Sequence, residues 1–330
     1  MKQIILVTEK EYYKAEDIFK SNQDFECKPV NLDETIIANT AKQTSAFGVI
    51  LGVDVYKNQL YNSLPLGGII ARFGVGHDGV DKQKATENGI ITTNTPGVLD
   101  DSVAEHAILL MGAFARNFCR HDRDMKNSNW QPSIGNELKG KTLLIWGCGP
   151  IGRKTAKIAS LGFGMNVIGY DIAQCNEEQL KKDFGFSKFV SNLDEAAAVA
   201  DYISIHIPSI PATRYVVNEK FLSKLKSTCV IINTARGPII DEAAIYDALK
   251  ARRLAGAALD VFENEPFIPV NHDKDLRTLE NVILTPHIGS STVEACRRMA
   301  QSCLKNIRAA YEKRYNELDI LNPVVLDKLR

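Results

Sequence analysis

Several features are scarce in this 330-residue chain, and each scarcity excludes something. Net charge is the first. Forty basic side chains balance forty acidic ones, so no overall positive field exists to hold nucleic acid or an anionic membrane, although a local patch is not excluded. Long apolar runs are also missing, and none approaches the roughly 20 residues of a membrane-spanning helix. The stretch Met1–Val7 is too short for a signal-peptide core and has no small-residue cleavage site after it. Ordered cysteine spacing is absent as well. The seven cysteines (Cys27, Cys119, Cys148, Cys175, Cys229, Cys296 and Cys303) are odd in number and scattered, without a Cys-x-x-Cys, which argues against a disulfide framework and a zinc site. They read as reduced, partly buried small hydrophobes of a cytoplasmic protein. No histidine or carboxylate set has metal-ligand spacing, and no internal repeat, low-complexity tract or charge block is evident. What is left, at 45% apolar and 24% charged residues, is an ordinary soluble globular composition. A length prior of about 150 residues per domain implies two domains.

Short apolar runs alternate with amphipathic stretches. Ile4–Val7, Gly48–Leu51, Ile69–Phe73, Ile90–Thr93, Leu143–Trp146 and Val167–Tyr170 read as buried strands, as do Ile203–Ile207, Val230–Asn233, Ala257–Val261 and Val282–Leu284. Helical patterns lie between them, among them Glu11–Lys20, Asp81–Asn88, Ile151–Leu161, Glu219–Lys226 and Asp241–Arg252. This order predicts an α/β protein with parallel sheets covered by helices on both faces. Thr95-Pro96-Gly97 breaks the chain, and Ser102-Val103-Ala104-Glu105 then has the form of a capping box opening a helix. A second break at Thr285–Gly289 precedes a last helix, about Thr292–Tyr311. The expected domains are therefore 1–100, completed by 290–330, and 101–289.

Gly-x-Gly-x-x-Gly occurs twice, at Gly74–Gly79 and at Gly147–Gly152. The motif alone is weak; a dinucleotide site also needs a strand before it, a helix directly after it and an acidic residue about 20 positions on. The second copy meets each condition. Leu143–Trp146 precedes it, Ile151–Leu161 follows it, and Asp171 stands nineteen residues after Gly152. Gly147 permits the tight turn, Gly149 lets a pyrophosphate approach the backbone, and Gly152 lets helix and strand pack closely. Pro150 and Ile151 sit at a helix start whose free N–H groups suit phosphate. Asp171 would accept the ribose hydroxyls of NAD and repel a 2′-phosphate, and Ile172-Ala173-Gln174 supplies no arginine for one. The first copy lacks the acidic residue. It is either a loop whose amides hold a small anion or a plain turn.

In open parallel sheets ligands bind outside the carboxyl ends of the strands. Arg236, Asp260 with Glu265, and His287 all fall just after such ends. Arg236 is either a bidentate carboxylate clamp or a surface ion pair. His287 is either a general acid/base or a hydrogen-bonded structural histidine. Glu265 either orients that histidine or is a solvated loop residue. His206 falls beside the cofactor rather than at the chemistry, while His106 and His121 lie in or just past the long helix.

Taken in order, these segments resemble the D-isomer-specific 2-hydroxyacid dehydrogenases across nearly the whole chain. The motifs that carry the likeness are Arg72–Asp81, Ser102–His106, Gly147–Gly152, Asn233–Asp241, Ala258–Pro266 and Leu279–Gly289. The resemblance implies two Rossmann/flavodoxin-like domains with parallel sheets and a cleft between them. It implies a catalytic trio of Arg236, Glu265 and His287. Cofactor contacts follow at Pro150, Ile151, Asp171, Thr234 and Ala235, with Asp260 and Gly289 near the nicotinamide. Val75 and Gly76 amides would help Arg236 hold the substrate carboxylate, and dimers would form through the nucleotide domains. The expected activity is NAD-dependent interconversion of a 2-keto acid and its D-2-hydroxy acid. Glyoxylate, hydroxypyruvate, phosphohydroxypyruvate and branched keto acids all fit.

Some positions depart from the family's habits. Trp146 and Cys148 are unusual beside the first glycines, and His77 replaces an aromatic or small residue. The loop Leu51–Lys57 lacks the arginine common in phosphoglycerate dehydrogenases, and 43 residues after His287 leave no room for a regulatory domain. Formate-dehydrogenase-like relatives carry glutamine where Glu265 stands. An NAD-sensing corepressor of the same fold is the alternative from another functional class. The lack of long disordered tails and of a basic patch weighs against it.

Overall fold

The protein is described here by a computed structural model covering residues 2–329. It divides into two compact units, Met1–Leu99 with Ser290–Arg330, and Asp100–Gly289.

The first unit is built on five parallel strands: β1 (Gln3–Thr8), β2 (Phe25–Val30), β3 (Gly48–Leu51), β4 (Ile69–Arg72) and β5 (Ile91–Thr93). Their order, β2-β1-β3-β4-β5, is the flavodoxin-like arrangement. Ile5, Leu6, Val7, Val49, Ile50 and Leu51 are fully buried, as expected of central strands covered on both faces. The helix Val293–Tyr311 belongs to this unit and buries Ala295, Met299, Ala300, Cys303 and Ile307, a single face at helical spacing. Beyond it, Asn322 accepts a hydrogen bond from Thr92 N–H at 2.8 Å and donates to Ile90 O at 2.9 Å, fastening the tail to β5. The expected helix Glu11–Lys20 is two short ones, Glu9–Lys14 and Glu16–Ser21. They part at buried Ala15, whose φ of −146° is not helical.

The second unit carries seven parallel strands: β6 (Thr142–Trp146), β7 (Asn166–Tyr170), β8 (Phe186–Val190), β9 (Tyr202–Ile205), β10 (Val230–Asn233), β11 (Gly256–Leu259) and β12 (Val282–Leu284). The order is β12-β11-β10-β9-β6-β7-β8. Direction across the sheet therefore reverses between β6 and β9, the switch point at which such sheets bind ligands. The helix that follows the first break starts at Asp100, so Ser102 is not its cap. Ser102 lies inside the first turn and its hydroxyl donates to Gly289 O at 2.8 Å. From the same helix Ala107, Leu110 and Met111 enter the core against β6 and β10 residues.

Candidate active site

The glycine loop occupies the switch point. Gly147 has φ +103°, and a Cβ there would lie 2.6 Å from His206 O. A Cβ on Gly152 would lie 2.0 Å from Gly147 O. Neither position admits a side chain, because turn, helix and neighbouring strand meet there. Gly149 differs. It precedes the helix Pro150–Lys157, and a Cβ on it would meet nothing within 4 Å. The helix start, with Ile151 in its first turn, thus has open space before it. Asp171 follows β7, its carboxylate fixed by Cys148 N–H at 2.7 Å and Ala173 N–H at 2.9 Å. Trp146 packs on Phe221 and Cys148 is buried, so both side chains turn away from the loop's open side.

Across the switch point His206 N–H donates to Trp146 O at 2.7 Å, and its Nε2 lies 2.8 Å from Ser204 Oγ. Burial lowers its ring pKa to about 4, so the ring is neutral near pH 7. Thr234, after β10, is buried with a hydroxyl that has no partner among the described residues. An open helix start, an oriented carboxylate and an unsatisfied hydroxyl suit a bound dinucleotide. Among the described residues no cluster of three or more His, Cys, Asp or Glu is placed to hold a metal.

The ends of β10, β11 and β12 carry the remaining groups. Asn233, fully buried, accepts from Ala235 N–H at 3.0 Å and donates to Arg236 O at 2.9 Å, which shapes the loop bearing Arg236. Arg236 Nη1 donates to Ala235 O at 2.6 Å. Next comes Gly237, where a Cβ would lie 1.8 Å from the carbonyl carbon of Phe262. Phe262 opens the loop that carries Glu265, so only glycine lets the two loops pack. Glu265 accepts from Phe262 N–H at 3.0 Å through Oε1 and meets His287 Nδ1 at 2.6 Å through Oε2. His287 has φ +54°, a left-handed conformation costing about 1–2 kcal/mol. Its N–H donates to Asp260 O at 2.8 Å.

Asp260 is the hub of this region. Its carboxylate accepts from Thr285 Oγ1 at 2.6 Å, Ile288 N–H at 2.9 Å and Gly289 N–H at 2.8 Å, and His106 Nε2 lies 3.3 Å away. Burial alone would raise this carboxyl. The bonds from His106, Thr285 and Ile288 outweigh burial and hold it below the usual carboxylate range. Arg236, Glu265, His287 and the expected cofactor residues all lie in this unit. Val75 and Gly76 lie in the other, in the loop after β4, where Asn94 holds Val75 O at 2.8 Å and no helix begins before Lys82.

Sequence reasoning missed Asn233, Ser102, Thr285 and His106 as parts of this region. Ser102 and His106 stand four apart on one helix face, a detectable sign, but nothing local shows that the face meets the end of β12. The close packing at Gly237 has a direct consequence. Gly237→Ala should separate the Arg236 and Glu265 loops and cost about 1–3 kcal/mol, read as a lower thermal-unfolding midpoint. An unchanged midpoint would mean that the loops are not in this contact.

Comparison with known proteins follows the same lines. A family model described as D-isomer specific 2-hydroxyacid dehydrogenase, NAD binding domain, matches residues 108–289. The glyoxylate reductase of Thermococcus litoralis is 39% identical over 270 residues, 79% of each chain. The hydroxypyruvate reductase of Thermotoga maritima is 43% identical over 242 residues, 72% of this chain and 76% of its own. Among solved structures, an NADPH-dependent glyoxylate/hydroxypyruvate reductase from Sinorhizobium meliloti, in complex with NADP and malonate, is similar at a TM-score of 0.77 and 29% identity, with 94% of both chains covered. The chain belongs to the D-isomer specific 2-hydroxyacid dehydrogenase family and is an oxidoreductase acting on the CH–OH group of 2-hydroxy acids with NAD(P).

Proposed function

We propose that the protein is an NAD-dependent D-2-hydroxyacid dehydrogenase that reduces a small 2-keto acid of the glyoxylate or hydroxypyruvate kind, or runs the reverse reaction. The observation that carries this is the contact of 2.6 Å between His287 Nδ1 and Glu265 Oε2, with the other Glu265 oxygen held by Phe262 N–H. A ring anchored through Nδ1 keeps Nε2 for the substrate. Arg236 clamps the carboxylate with its planar fork and polarises the carbonyl. When bound, the nicotinamide supplies hydride to the carbonyl carbon. His287 Nε2 gives its proton to the carbonyl oxygen, while Glu265 orients the ring through Nδ1.

Gly147, Gly149, Pro150, Ile151 and Gly152 would hold the pyrophosphate, and Asp171 the ribose hydroxyls. His206, Thr234, Ala235 and Gly289 would line the path to the nicotinamide, with Asp260 holding the Thr285–Gly289 segment in place. The neutral ring of His206 adds no charge beside the phosphates.

A homodimer is part of the proposal. Large apolar side chains stand exposed along 109–134 of the second unit, including Trp130 at 79% and Ile134 at 97%, and a second copy would cover them. Seven unbridged cysteines agree with the reducing cytoplasm. Ile134→Asp should sediment as a monomer where the parent sediments as a dimer; a monomeric parent would refute this part.

Cofactor choice tests Asp171. NADH should be preferred to NADPH, and Asp171→Ala should narrow the gap chiefly by weakening NADH. Equal use of both cofactors by the parent would overturn the role of Asp171.

The pH profile of keto-acid reduction tests the acid. Glu265→Gln keeps the size but removes the charge, so the pH at which reduction falls off should move down while NADH affinity holds. His287→Ala should lose roughly 10²–10⁴-fold in turnover. An unmoved alkaline limb in Glu265→Gln would separate Glu265 from the proton. Tight NADH binding by the parent without reduction of any keto acid would match the corepressor alternative.

A further inference from the structure

Tyr215 lies just past the short turn Pro211–Thr213, on the chain leaving β9, and has φ +52°. Local sterics disfavour that left-handed conformation for a bulky residue, so the contacts made from it must hold it there. Those contacts run to two loops. Through the backbone, Tyr215 N–H donates to Pro238 O at 2.9 Å, Val217 N–H to Ile239 O at 3.1 Å, and Asp241 N–H to Val217 O at 3.0 Å. Tyr215–Val217 thus runs alongside Pro238–Asp241, the direct continuation of the loop that bears Arg236. Through the side chain, the Tyr215 hydroxyl donates to Glu263 Oε1, which also takes Arg214 Nη2 at 3.0 Å. The Arg214 guanidinium lies 4.4 Å from the centroid of the Tyr215 ring.

Glu263 belongs to the turn that ends at Glu265. Phe262 N–H donates to Glu265 Oε1 at 3.0 Å and closes that turn. Within it, Glu263 N–H donates to Glu242 Oε1 at 2.5 Å. Glu263 is therefore held by its N–H from Glu242 and by its carboxylate from Tyr215 and Arg214.

The Arg236 and Glu265 loops already touch where Gly237 packs on Phe262. One contact between two loops is a pivot, about which they can still turn. The bond from Tyr215 to Glu263 is a second joint, made by a residue whose backbone is fastened to the continuation of the Arg236 loop. Two joints remove the rotation that one allows. Arg214 and Glu263 could pair by charge alone, but the Arg214 side chain is 53% exposed, and an exposed ion pair fixes little. The phenol bond is the stiffer element.

We propose that Tyr215 is a positioning residue for the reduction: its backbone is fastened beside the Arg236 loop and its hydroxyl to Glu263, so that Glu265, and with it His287, keeps a fixed place relative to Arg236. A disfavoured conformation retained at the bridge between two such loops points to use. This rests on the proposed roles of Arg236 and His287.

The test uses the full chain and two readouts, the steady-state kinetics of keto-acid reduction and the His287 Nδ1–H signal in nitrogen-15 NMR without substrate. Tyr215→Phe keeps the ring but removes the bond to Glu263. The Arg236 loop is still shaped by Asn233, so the keto-acid KM and NADH affinity should hold while kcat falls about tenfold. The Nδ1–H signal should weaken in the same variant. Glu263→Gln retains an acceptor oxygen and should stay near the parent in both readouts, whereas Glu263→Ala should lose as much as Tyr215→Phe. Combining Tyr215→Phe with Glu263→Ala should be no slower than the slower single variant, since both remove one bond. Should Tyr215→Phe fail to fold, Glu263→Ala against Glu263→Gln carries the same contrast. An unchanged kcat in Tyr215→Phe, a loss carried by KM, or losses that multiply in the double variant overturn the inference. If the parent reduces no keto acid, yet the Nδ1–H signal weakens in Tyr215→Phe and not in Glu263→Gln, the dehydrogenase proposal fails and the positioning role of Tyr215 stands.

Discussion

The carboxylate of Asp260 is the constraint on which the site's geometry depends. It is buried at the end of β11 and accepts from Thr285, Ile288 and Gly289, beside His106 of the helix Asp100–Ala115. Its own carbonyl takes the N–H of His287. These bonds hold the segment after β12 in a conformation that local preference resists, since His287 is left-handed. The cost of that conformation is met by a carboxylate whose hydrogen bonds outweigh its desolvation. As a depressed acid, Asp260 contributes stability above its unfolded-state value, and that contribution is lost as pH falls through the folded one.

Two acidic residues meet the loop after β11 and are held in different ways. Glu265 is oriented by one backbone N–H and points its second oxygen at Nδ1. Glu242, in the first turn of the helix Glu242–Lys250, is buried beneath the same loop and accepts the Glu263 N–H. The first occupies Nδ1 of the His287 ring; the second fastens the loop from below. Close packing at Gly237 brings the Arg236 loop against this loop, so Arg236 and Glu265 share one rigid support.

Much of this was legible in the chain because central strands and tight turns leave strong local marks. Val230, Ile231 and Ile232 of β10 form an apolar run because both faces of the strand are covered. The Gly147–Gly152 loop announces itself through a strand, three glycines, a helix and Asp171, each dictated by one turn. The edge strands β2 and β8 left no such mark. β2 alternates Glu26 and Lys28 with apolar residues and contains Pro29, which an edge tolerates, and β8 shows only one fully buried side chain, Phe186. The break at Ala15 and the inward turn of Ser102 are tertiary outcomes that periodicity does not encode. His287, Glu265 and Arg236 each had a structural alternative on local grounds. Contacts spanning 22 residues for the Glu265–His287 pair, and 179 for His106–Thr285, are set by strand order and lie outside any local window.

The most direct test of the account is the tautomer of His287 after its proton has left. If Glu265 holds Nδ1–H and Nε2 serves the substrate, the neutral ring must carry its remaining proton on Nδ1. Nitrogen-15 NMR of the full chain, above the pH at which the ring loses its charge, should show a protonated Nδ1 and a bare Nε2, with the Nδ1–H signal weakened in Glu265→Gln. A neutral ring with its proton on Nε2 and a bare Nδ1 would contradict the account, because that nitrogen could not have been the donor.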